Sequence, residues 1–147
     1  MNLLRFDYYQ EAVINLLKSN PGVVSHVGQE IREENYMGLD WTLPAVRVAI
    51  GDCDPIGNGN CRGSDWLINF VIRVYSEKDS SAQEQVILNA CAEALFSKNL
   101  SGNGFIPITP INIIRVRPHL LTGASEGNKF SLWLGEILCQ QRVKVSD

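Results

Sequence analysis

Residues 65–96 read DWLINFVIRVYSEKDSSAQEQVILNACAEALF, and this stretch decides the fold. Its first part alternates. Trp66, Ile68, Phe70, Ile72 and Val74 fall on one side of an extended chain, with Asn69 and Arg73 on the other. A period of two marks a strand with one apolar, buried face. The alternation breaks at Glu77, Lys78 and Asp79, and a helical period takes over. Val86, Ile87, Ala90, Cys91, Ala94 and Leu95 recur at the spacing that gathers side chains into one apolar stripe. Ser81 followed by Glu84 fits the capping box, in which each side chain satisfies an otherwise orphaned backbone N–H. The helix is predicted to stop near Lys98, with SGNG at 101–104 as its breaker.

On the N-terminal side, a first helix is predicted over 7–19, with Asp7 as N-cap and Tyr9, Ala12, Val13, Leu16 and Leu17 as its buried stripe. Asn20, Pro21 and Gly22 end it, since proline cannot continue a helix. The stretch 23–44 holds no sustained period and carries Glu30, Glu33, Glu34 and Asp40, so it reads as a surface excursion. Pro44 opens a strand over 45–50, with Val46, Val48 and Ile50 on one face and Arg47 on the other. The Gly- and Asn-rich loop 51–64 joins that strand to the one from Asp65, which makes the pair an antiparallel hairpin with a long tip. On the C-terminal side, strands are expected over 108–121 and 129–145, joined by the polar turn TGASEGN at 122–128. In the last strand Phe130, Leu132 and Leu134 share one parity, and Ile137, Cys139, Val143 and Val145 the other. A one-residue bulge near Gly135 would bring both sets to one face.

The expected fold class is therefore α+β: a two-layer sandwich with a mainly antiparallel four-stranded sheet and two helices on one face. With 147 residues the chain is read as one domain, long enough for a core without metal or disulfide staples. The apolar share of 45% and charged share of 20% are ordinary for a globular protein. A formal net charge of −3 argues against nonspecific nucleic-acid binding, which neutralises phosphates with Lys and Arg. No apolar run approaches the ~20 residues that span a bilayer. The N-terminus carries charges within its apolar part and is not read as a signal peptide, so a cytosolic setting with reduced thiols is expected.

Catalytic and metal-binding constellations are hard to assemble. Cys91 and Cys139 fall at apolar positions, where small thiols are commonly buried. Cys53 and Cys61 share one loop and could pair, or form half a metal site with Asp52 and Asp54. Structural zinc needs four ligands, and no second CxxC or HxxxH pair is present. His26 and His119 accompany no nucleophile motif. The loop glycines lead into a strand with no Gly-Lys-Ser/Thr, which excludes a phosphate loop. The calcium-loop spacing from Asp52 meets Gly63 where a glutamate is required. No catalytic residue, metal or cofactor is assigned.

The arginines are more informative. Arg47, Arg73, Arg115 and Arg117 occupy the non-core parity of their strands, so the helix-free face of the sheet is expected to carry an arginine patch. An ordinary solvated face balanced by Glu and Asp is the bland account. The functional account is a contact surface, since Arg is favoured at interfaces. Trp41, Asp52, Asp54 and Arg62 join the candidate contact residues from the irregular segments, as does the loop 51–64 itself.

Four pieces of the sequence carry a family likeness: NLLKSNPGVVSHVGQEI at 15–31, LPAVRVAI at 43–50, FVIRVYSEKDSSAQEQVILNACAEAL at 70–95 and IIRVRPHLLTGASEGNKFSLWLGEILCQQ at 113–141. In element order and pattern the chain resembles the tail terminator, or tail completion, proteins of long-tailed phages. That resemblance implies a noncatalytic, usually hexameric ring that caps the tail tube, halts its growth and presents a surface to the head–neck connector. It implies as partners further copies of the chain, the tail-tube protein, the connector and, in a contractile tail, the sheath. DNA would pass through the channel without specific binding, no membrane would be involved, and the protein would reach the virion tail or neck from the host cytoplasm. A head–neck adaptor of the same virion and a ligand-sensing α+β regulatory domain are the competing expectations.

Overall fold

The computed structural model describes residues 3–34, 42–56, 65–77, 81–122 and 132–146. Helix α1 (Phe6–Lys18) and helix α2 (Pro21–Val27) lead into strand β1 (Ile31–Glu33). Strands β2 (Ala45–Ile56) and β3 (Asp65–Glu77), helix α3 (Ser81–Leu95), and strands β4 (Phe105–Pro107), β5 (Asn112–Thr122) and β6 (Leu132–Val145) follow. The strands form one mixed sheet in the order β1-β2-β3-β6, with β4 and β5 both lying along the outer side of β6. The α+β class holds, but among the described residues three helices and six strands stand where two and four were expected.

Each addition has a local cause. Pro21 does end the first helix and also starts the next, because proline at the first helical position lacks only an N–H that has no helical partner there. Asn20 caps α2, its side chain accepting from the Val23 N–H at 3.2 Å. Strand β1 runs parallel to β2, with Ile31 beside Val46, and lies in the stretch read as a surface excursion. Three residues are too few to show a period. At the start of α1 the N-cap is Arg5, with no side-chain cap bond, and Asp7 instead pairs with Arg5 at 2.7 Å inside the first turn.

The β2–β3 hairpin is antiparallel as expected, but β2 does not end at Ile50. The register shifts between Ile50 and Cys53, and the strand continues to Ile56. At this bulge the Asn69 side chain donates to the Asp52 carbonyl at 2.9 Å. A Cβ on Gly51 would stand 3.2 Å from the Asn69 carbonyl oxygen, so the close approach suits glycine. The rest of the loop, 57–64, including Cys61, lies outside the described residues, as do the break at 78–80 and the Ser81 side chain of the expected capping box.

Strand β3 buries Trp66, Ile68, Phe70, Ile72 and Val74, as its alternation required. Helix α1 lies on that face: Tyr9 meets Phe70 and Phe105, and Phe6 meets Trp66 edge-on. Helix α3 packs there too, burying Glu84, Ile87, Leu88, Cys91, Ala94 and Leu95. Val86 lies off this stripe and is exposed, which corrects the expected set. Helix α2 touches both other helices and adds Val23 and Val27 to the core.

No bulge occurs at Gly135. The β3–β6 register runs unbroken from Asp65–Lys144 to Glu77–Leu132, pairing Gly135 with Val74. The irregularities lie in β5, between Ile113 and Arg115 and between Arg117 and Leu120. Gly135 has a different task. A Cβ there would run into the Glu84 carboxylate and the Leu88 side chain, so the missing side chain lets α3 settle onto the sheet.

Candidate assembly surface

Strand register places most of the predicted arginines in one line. On the helix-free face Arg32 of β1 stands beside Arg47 of β2, Arg47 beside Arg73 of β3, Arg73 beside Glu136 of β6, and Glu136 beside Arg117 of β5. Like charges directly opposite one another destabilise a sheet. Three glutamates counter the row. Arg47 donates to Glu30 at 2.6 Å, and Arg32 approaches the same oxygen at 3.4 Å. Arg73 donates to Glu136 at 2.9 Å and lies 3.5 Å from Glu34. Arg117 stands 3.9 Å from Glu136. The Tyr75 hydroxyl donates to Glu34 at 2.9 Å.

Burial ranks these groups. Arg47 is fully buried and also donates to its neighbour's carbonyl, Val46 O, at 3.0 Å. Its expected place in an exposed patch is therefore corrected: it is enclosed, and it serves as an internal ion-pair partner of Glu30. Arg73 is partly covered. Burial works to lower its pKa, but its hydrogen bond to Glu136 and the charges of Glu34 and Glu136 outweigh this and raise it. The Tyr75 hydroxyl is also raised, first by burial and then by Glu34. The row opens most towards β5, with Arg117 46% exposed.

Arg115 is exposed in β5 opposite Leu138 and makes no ion pair among the described residues. Asp52 lies at the β2 bulge and Asp54 opposite Leu67, both exposed. Trp41 and Arg62 lie outside the described residues. Sequence reasoning missed Glu30, Glu34 and Glu136. The alternation of Glu30, Arg32 and Glu34 around inward-facing Ile31 was the available signal for a charged edge strand.

The titratable groups on the helix side are set up for packing. Burial pushes the thiols of Cys91 and Cys139 up to about 12 and that of Cys53 up to about 11, so they are protonated and poorly nucleophilic near neutrality. Tyr9 donates to Gln141 Oε1 at 2.7 Å, and Gln141 donates to the carbonyls of Leu100 and Thr109 at 3.2 and 3.0 Å. This buried bracket ties α1 to β6 and to the segment after α3. Among the described residues no group of three His, Cys, Asp or Glu side chains could hold a metal ion. No described helix is long and apolar enough to cross a membrane.

No protein-family model matches the chain, and no curated protein matches it. A solved structure does. A chain of a structure described as the virion of a native gene transfer agent particle superposes with a TM-score of 0.70. The match covers 97% of this chain and 99% of that one, at 16% sequence identity. The two chains share a fold. They share it over nearly the full length of both.

Proposed function

We propose that this protein is a virion structural component, a tail terminator that acts by its interfaces and catalyses nothing. The observation that carries the reading is the end-to-end fold match to a chain of a virion particle. The sequence likeness to tail terminators, drawn independently of that match, supplies the specific role. In this reading the chain assembles as a ring, with six subunits expected, on the growing end of the tail tube. The ring stops polymerisation and offers its other surface to the head–neck connector, and to the sheath if the tail contracts. The net charge of −3 suits a channel that lets DNA slide without holding it.

The buried ion pairs suit such a role. They link neighbouring strands across the middle of the sheet and leave its edges to meet neighbours. The test is direct. Purified protein is examined by sedimentation and negative-stain microscopy, alone and with isolated tail tubes. The expected result is rings, and density on one end only of each tube. A protein that stays monomeric at high concentration and ignores tube ends refutes the reading. Binding to the head vertex in place of the tube would instead make it a head–neck adaptor.

A further inference from the structure

The two edges of the sheet differ in chemistry. Along β6 the outer edge is built by β4 and β5, and it is apolar and basic. Ile106 and Ile108 are 48% and 43% exposed there, and Ile114 and Val116 are 50% and 43% exposed. Arg115 and Arg117 flank Val116 in β5, on the helix-free face beside Leu138 and Glu136. The opposite edge is β1, and between it and α1 lies an open groove of about 630 Å³. Ile14 and Ile31 line it, with the carboxylates of Asp7, Glu11 and Glu33. Asp7 is engaged by Arg5, whereas neither Glu11 nor Glu33 makes an ion pair among the described residues. Two cations also line the groove: Lys18, two helical turns along α1 from Glu11 and roughly 10 Å away, and Arg32, which is engaged by Glu30 at 3.4 Å.

We infer that successive copies of the chain join head to tail, the β5 edge of one entering the α1–β1 groove of the next. Charge complementarity names the occupant: two arginines with little or no internal pairing face two glutamates in the same condition. Apolar groups lie beside both sets, Ile114 and Val116 on one side and Ile14 on the other. The β5 edge is also shaped against indiscriminate pairing. Its two register shifts and Pro118 interrupt the row of backbone donors along which an unrelated strand would zip. Side chains therefore choose the partner. Because the joined surfaces are different edges of the molecule, the contact is heterologous, and such contacts build rings when their rotation closes.

This inference rests on the ring reading and adds which surfaces make the joint. Two variants test it, Arg115→Glu with Arg117→Glu, and Glu11→Lys with Glu33→Lys. Each has like charges at both edges, so self-association should weaken by about a hundredfold or more, since like-charge juxtaposition is costly. An equimolar mixture should reassemble, because each reversed edge now complements an edge of the other variant. Native mass spectrometry should then show even-numbered rings with the two variants in equal number. Recovery on mixing also shows that both variants are folded. Wild-type protein that never self-associates overturns the ring reading and this inference together. Wild-type rings with either variant assembling normally alone overturn the edge pairing only. So do two monomeric variants that stay monomeric when mixed.

Discussion

Replacing Arg47 by methionine keeps an unbranched apolar stem and removes the guanidinium, leaving Glu30 in a nearly closed site. The guanidinium is fully buried, with one nitrogen 2.6 Å from Glu30 and another 3.0 Å from the Val46 carbonyl. Removing one member of a buried ion pair commonly costs about 3–5 kcal/mol, chiefly because the remaining charge is stranded. Here two groups soften the loss: Arg32 at 3.4 Å from one Glu30 oxygen and the Thr42 hydroxyl, which donates to the other at 3.3 Å. The lower end, about 3 kcal/mol, is therefore expected, equivalent to a fall of roughly 6–12 °C in Tm for a chain of this size. Urea unfolding followed by circular dichroism measures it, together with Glu30→Gln and the double variant. The double variant should be less damaged than the sum of the singles, since no charge is then stranded. Arg117→Met is the internal control. Its pair is half exposed and 3.9 Å long, so it should cost at most about 1 kcal/mol. A loss below about 1 kcal/mol for Arg47→Met would refute the buried-pair reasoning. If that variant instead kept its stability and lost self-assembly, Arg47 would belong to a contact surface after all.

Gly135→Ala should destabilise by about 1–3 kcal/mol through overpacking against Leu88 and Glu84, and a cost under about 0.5 kcal/mol in urea titration would show that α3 does not rest there. Tyr9→Phe removes the donor to Gln141 and should cost about 1 kcal/mol, whereas Gln141→Leu strips partners from three groups and should cost more; equal losses would contradict the bracket. Stability should fall in alkali. The buried thiols of Cys91 and Cys139 titrate at about 12 in the folded chain against an ordinary 9.0, and Tyr9 and Tyr75 are raised in the same direction by burial. A pKa raised on folding means that the unfolded chain releases its proton first. The contribution is thus complete below pH 9 and lost as pH rises through 12. Urea midpoints that stay level or rise over that interval would contradict the burial.

The core was legible because its signal is local. Trp66 through Val74 alternate without interruption, and Ile87, Cys91, Ala94 and Leu95 repeat at the helical period, so each element declares its buried face by itself. Strand β1 was harder to read: Ile31–Glu33 is three residues long, and only the alternation of Glu30, Arg32 and Glu34 around Ile31 marks it. The continuation of β2 past Gly51 was hidden because a bulge looks, in sequence, like the start of a loop. At Gly135 the error ran the other way. A phase change in the apolar pattern suggested a bulge, while the real irregularities fell across the ladder in β5, at positions where β6 stays regular.

Sequence alone determined the strand–helix unit at 65–96, the two hairpins and the side of each strand on which the arginines lie. These follow from periods of two and 3.6, which neighbouring residues impose on one another. What an arginine does on that side was decided by tertiary structure. Arg47 and Arg117 have the same parity and the same chemistry, yet one is enclosed at mid-sheet against Glu30 and the other stands half exposed near an edge. The groups gathered around each arginine set that difference, and they come together through contacts between residues apart in the chain, which no local pattern records.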